Sequence, residues 1–131
     1  MTDEVIRLTS HYLRCTVEDS FETVSKTLED FFGNIYSRKL SGDVGQRKEL
    51  ILGEEYFFRV NSDVAVLIVL EERSSRETEV EIISCAGGAG LLEISYSAHS
   101  AYAHKVKESL ETSGFKVEVR EEISNFGRSS S

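Results

Sequence analysis

The residues of this chain whose types and spacing could do chemistry gather in one short span: Ser84, Cys85, glycines at Gly87, Gly88 and Gly90, then Glu93, Ser95 and His99. Two kinds of chemistry would use them. Nucleophilic catalysis needs a serine or cysteine, a base, and a third group that orients the base, all converging on one point. Ser84 or Cys85, His99 and Glu93 supply the types, but in the order of no established motif. Binding a phosphate or another small anion needs free backbone amides, which glycines allow the chain to present. On these grounds Ser84, Gly87, Gly88, Gly90, Ser95 and His99 are the candidate ligand-binding residues, and no residue is given a catalytic role.

The glycine segment, "SCAGGAG", departs from the phosphate-binding patterns one by one. No Gly-Lys-Ser/Thr follows it, and Glu93 stands where a dinucleotide fingerprint requires its third glycine. The next residues, "LLEIS", separate the glycines from a helix expected to begin near Ser95, whereas phosphate loops pass from a parallel strand directly into a helix. The segment reads first as a backbone device, a bulge or sharp turn at the end of a strand. The alternative is an amide nest for a small anion or a partner peptide.

His99 falls on the stripe of Ala103, Val106 and Leu110 expected to face inward, the setting of a neutral imidazole bonded to backbone. His104 lies five residues further on, off the face of His99, so the two do not make the i, i+4 pair of a helical metal site. His11 stands on a distant element, and the sequence gives it no partner. Cys15 and Cys85, seventy positions apart and outside any C-x-x-C pair, read as buried reduced thiols. Glu49, Glu54, Glu55, Glu77, Glu79 and Glu81 read as solvated strand flanks. The sequence assigns no metal and no cofactor.

A chain of 131 residues, 40% hydrophobic and 29% charged, has room for one folded core and is too apolar for disorder. Its formal net charge of −8 disfavours a nucleic-acid backbone or an anionic membrane surface, both of which attract clustered Lys and Arg. No apolar stretch of signal-peptide length opens the chain, and the longest apolar run, Val64 to Leu70, is too short for a bilayer. A cytoplasmic protein with neither a nucleic-acid nor a membrane partner is the expectation.

The elements that must position these groups follow from periodicity. Leu13, Cys15 and Val17 alternate with Tyr12, Arg14 and Thr16, as in a half-buried strand. Asp19 opens a D-x-x-E pattern that caps a helix with the stripe Phe21, Val24, Leu28, Phe31, Phe32 and Ile35. Ser37 to Arg47, polar and interrupted by glycine, reads as a loop. Three antiparallel strands follow, about Glu49 to Val60, Val64 to Glu72 and Glu77 to Cys85, with turns at Asn61 to Asp63 and Arg73 to Arg76. A second helix, about Ser95 to Ser113, stops at Gly114, and "FKVEVRE" alternates as a last strand. Residues 1–124 thus form one α+β domain, followed by a disordered tail at 125–131.

The expected order is β-α-β-β-β-α-β, an antiparallel sheet of about five strands with two helices on one face. Tyr12, Phe57, Ala65, Leu67, Val69 and Ile83 would then point away from the helices, with Arg14, Arg59 and Glu81 alternating beside them. An apolar patch of that extent is covered either by the N-terminal segment or long loop, or by a second copy of the chain. A homodimer through the face carrying Phe57, Leu67, Val69 and Ile83 is the expected partnership.

This order of elements, together with "EVEIISCAGGAGLLEIS" and within it Ser84-x-x-Gly87-Gly88 and the apolar stretch that follows, is similar to a family of short prokaryotic proteins known only as a domain of unknown function. The resemblance spans about Tyr12 to Leu110 and implies the same α+β architecture. It brings no activity, cofactor or catalytic residue. The functional expectation is a non-enzymatic interaction or small-ligand-binding module acting as a homodimer. The alternative is a small enzyme with its site between the 84–90 glycine-rich loop and the start of the second helix.

Overall fold

The computed structural model describes residues 10–40, 43, 45–57, 62–86 and 92–126, with backbone alone at 56, 57, 62, 86, 92–99 and 124–126. In chain order the elements are β1 (Ser10–Val17), α1 (Phe21–Phe32), β2 (Tyr36–Leu40), β3 (Lys48–Phe57), β4 (Ser62–Ser74), β5 (Glu77–Ala86), α2 (Leu92–Thr112) and β6 (Val117–Phe126). The six strands form one sheet in the order β2-β3-β4-β5-β1-β6, and every pairing is antiparallel. The α+β class and the antiparallel sheet agree with the sequence reading.

The strand count does not: there are six, because Tyr36–Leu40 pairs with β3 inside the segment read as a loop. All five of its side chains are exposed. A strand held by backbone hydrogen bonds, with no buried face, leaves no alternation for a sequence to display. The second helix likewise begins at Leu92 rather than near Ser95, so "LEIS" is its first turn. Ser62 and Asp63, expected in a turn, are instead the first residues of β4, paired with Phe57 and Tyr56, and 58–61 lie outside the described residues. β6 includes Asn125 and Phe126, the first two residues of the segment read as a tail.

Alternation on the strands sets the core. Leu13, Cys15 and Val17 of β1, Ile51 of β3, Val64, Val66, Ile68 and Leu70 of β4, and Val80 and Ile82 of β5 are fully buried. They form one cluster with Phe21, Val24, Leu28 and Phe32 of α1 and Tyr102, Ala103, Val106 and Leu110 of α2. Each large apolar side chain buried in this way contributes about 1.5–3 kcal/mol. The expected α1 stripe holds over four of its six members, while Phe31 and Ile35 are 60% and 51% exposed. The helix ends at Phe32, so Ile35 lies beyond its periodicity.

Local chemistry fixes where each helix starts and stops. Ser20, not Asp19, is the N-cap of α1: its Oγ accepts from the Thr23 amide at 3.3 Å, while Asp19 Oδ1 accepts from the Ser20 amide at 2.7 Å. The end of α1 lies directly on β3 at Gly53, where a Cβ would sit 1.9 Å from the Phe32 carbonyl oxygen. Asn34 clamps the next residue, its Oδ1 accepting from the Glu54 amide at 3.0 Å and its Nδ2 donating to the Glu54 carbonyl at 2.9 Å. α2 stops at Gly114, whose φ of +99° is the left-handed conformation that ends a helix without steric cost.

Candidate functional site

Of the six ligand-binding candidates, Ser84 is the one whose surroundings are described. It is fully buried on β5, opposite His11 of β1 and Val66 of β4. Gly87, Gly88 and Gly90 lie outside the described residues, and Ser95 and His99 sit in the first half of α2 with their side chains outside them as well. The start of α2 at Leu92 removes the separation that "LLEIS" was expected to impose between glycines and helix. β5 nonetheless runs antiparallel to both neighbours, unlike the strand that feeds a phosphate loop.

Beside Ser84 the fold builds a polar cluster that sequence reasoning did not assemble. His11 shares the inward parity of Leu13, Cys15 and Val17 and is 1% exposed. On the edge strand β6, Glu122 pairs with Leu13 and so stands on the same face. His104 lies next to the buried Ala103 of α2. The Nε2 atoms of His11 and His104 are 2.6 Å and 2.7 Å from the same atom, Oε2 of Glu122. The ring centroids are 5.8 Å apart and tilted by 49°. His104 and Glu122 remain 38% and 36% exposed at their side chains.

The electrostatics of the cluster follow from that geometry. Burial opposes the charge on Glu122, but the hydrogen bonds donated by His104 and His11 outweigh it and hold the carboxyl below the usual carboxylate range. Nδ1 of His11, on the far side of the ring, is buried and makes no hydrogen bond among the described residues. One oxygen and two nitrogens therefore converge from three separate elements, all within 4.8 Å, a set that can hold a metal ion. Both cysteines are free. Burial pushes the Cys15 thiol up to about 11, so it stays protonated.

Sequence reasoning missed this cluster because its members are far apart along the chain, Glu122 lying 111 residues from His11 and 18 from His104. One signal was available. A histidine at an inward position of an otherwise apolar strand marks a buried polar group in need of a partner.

The opposite face of the sheet has a different character. Register places Tyr36, Leu52, Leu67, Ile83, Tyr12 and Ile123 in one row across all six strands. The adjacent row reads Arg38, Leu50, Val69, Glu81, Arg14 and Glu121. Leu50, Leu52, Ala65, Leu67, Val69, Ile83 and Ile123 are all partly exposed, in contrast to the fully buried residues that alternate with them. Tyr12 is buried within its row and donates to Glu81 Oε2 at 2.5 Å. Phe57, expected on this face, instead pairs with Ser62 at the parity of Ile51 with Ile68, the core-facing positions; its side chain and all of Arg59 lie outside the described residues.

No helix among the described residues is long and apolar enough to cross a membrane. No family model matches the chain, and no curated protein matches it.

Proposed function

We propose that this chain is a non-enzymatic interaction module that works as a homodimer, two copies packing sheet against sheet through the face carrying Leu67, Val69 and Ile83. The observation that carries this reading is the apolar row running unbroken from Tyr36 on one edge strand to Ile123 on the other. With α1 and α2 on one side of the sheet, this row faces away from them. Its size suits a second sheet: six strands at ~4.8 Å spacing and about eight residues at ~3.4 Å make a face of roughly 780 Å², near the ~800 Å² that each partner buries in a standard interface.

Charge supports one orientation of the pair. Arg38 lies beside the row at the β2 edge, where it makes no ion pair among the described residues, and Glu121 lies beside it at the β6 edge. A two-fold axis parallel to the strands, between β4 and β5, lays β2 over β6 of the second copy and brings Arg38 over Glu121. The same rotation sets Leu67 over Ile83. The net charge of −8 favours a protein partner of this kind over a polyanion.

The test is molar mass in solution by light scattering. The expected mass is twice the 14.7 kDa of the chain, falling to the single-chain value when Leu67→Asp puts a charge at the centre of the row. A monomeric wild type at millimolar concentration defeats the proposal.

A further inference from the structure

We propose that His11, His104 and Glu122 bind a divalent transition-metal ion of the zinc type through two imidazole nitrogens and one carboxylate oxygen. The proposal is independent of the homodimer, because the cluster lies on the side of the sheet that carries the core and α2, opposite the apolar row.

The donor set comes first. Neutral imidazole suits zinc, copper, nickel and iron, whereas magnesium and calcium take oxygen ligands almost exclusively. Two imidazoles with one carboxylate are therefore selective for the transition series before any geometry is considered.

Geometry is the second ground. Two Nε2 atoms at hydrogen-bonding distance from one carboxylate oxygen are aimed at a common point, as ligands of one ion are. With metal–nitrogen distances of about 2.0–2.1 Å, donor atoms in a tetrahedral site lie about 3.3 Å apart. The contacts of 2.6 Å and 2.7 Å must therefore widen by roughly 0.6 Å to admit the ion. The side chains that have to move are those of Glu122 and His104, each more than a third exposed, while His11 is fixed by burial. The hydrogen bonds from both imidazoles to Glu122 keep the three donors assembled when the ion is absent.

The third ground is the cost of His11 itself. Its neighbours of the same parity on β1 are Leu13, Cys15 and Val17, all in the apolar core, and its Nδ1 is buried without a partner among the described residues. An unpaired buried polar atom is a destabilising feature that an apolar side chain at the same position would avoid. For Nε2 to coordinate an ion, the proton it donates to Glu122 moves to Nδ1, the nitrogen left without a partner, so that His11 binds as a neutral imidazole. Three protein ligands leave a fourth position open, which in zinc proteins is filled by water or by a bound molecule.

The experiment is titration of the full chain with zinc chloride by calorimetry, together with cobalt chloride followed by visible absorption. Wild type is expected to bind one zinc per chain at micromolar concentration or below, with cobalt giving d–d bands and no thiolate charge-transfer band. His11→Ala puts folding at risk, so the decisive variants are the exposed ligands. His104→Ala and Glu122→Gln are each expected to weaken binding by ~10-fold or more, with a metal-free melting temperature close to wild type, and His99→Ala to leave binding unchanged. Absence of zinc binding below millimolar overturns the proposal, as does binding that survives both substitutions, depends on His99 instead, or shows cobalt–thiolate absorption.

Discussion

Glu49 shows how much one residue's setting can depart from its type. Read as a solvated strand flank, it is fully buried beneath α1, where Oε1 accepts from Ser25 Oγ at 2.5 Å and Oε2 makes no hydrogen bond as an ionised oxygen. The carboxyls of Glu49 and Glu29 hydrogen-bond each other, which two ionised carboxylates cannot do, so they share a proton. Burial and then Glu29 push the Glu49 carboxyl up to about 7, while the bond to Glu49 helps hold Glu29 below its usual range. The folded state thus binds more protons than the unfolded chain between 4.5, the ordinary value, and about 7. The contribution of Glu49 to stability is whole below the lower value and is lost as pH rises through the upper one. Glu49→Gln keeps an acceptor for Ser25 and a donor for Glu29 without acquiring charge. Its melting temperature is expected to exceed wild type by several degrees at about pH 8, corresponding to ~1–2 kcal/mol, with the gap closing by about pH 5. Thermal melts across that range check it, and a constant gap would show that the shared proton is absent.

At the scale of elements, the junction of α1 with β3 is the tightest contact among the described glycines. Gly53 faces the Phe32 carbonyl and Asn34, and a Cβ placed there overlaps backbone that has no freedom to yield. Gly53→Ala is therefore expected to destabilise by about 3 kcal/mol or more, measured by urea unfolding. Gly114→Ala is expected to cost nearer ~1 kcal/mol, because its Cβ would meet open space and only the positive φ resists it. Equal losses at the two positions would contradict this account. The packed elements were legible in the sequence because burial on one face leaves a period: the inward residues of β1, the outward residues of β4 and β5, and four of the six stripe residues of α1 stand as read. β2 and the first turn of α2 were not. β2 is wholly exposed, so backbone pairing alone defines it, and the first turn of α2 follows glycines that gave no helical cue.

For the whole molecule, the asymmetry of charge across the sheet face makes the proposed pairing testable beyond a change in mass. Arg38→Glu is expected to weaken the dimer about ten-fold, by setting like charges against each other, and Glu121→Arg in the same chain is expected to restore most of the loss. Sedimentation at several concentrations reads both. A dimer that ignores the single reversal would keep the apolar row as its seat but reject the strand-parallel axis.

The sequence by itself determined the class of fold, the parity of β1, β4 and β5 and the apolar character of the second sheet face, because each depends on periods of two or 3.6 residues that neighbours along the chain display. It also drew attention to a glycine segment of which Ser84, Cys85 and the backbone of Ala86 lie among the described residues. Only the tertiary structure brought His11, His104 and Glu122 together, since strand order, register and the docking of α2 are long-range outcomes that no local pattern encodes. The same is true of the row from Tyr36 to Ile123, whose continuity comes from five separate registers acting together.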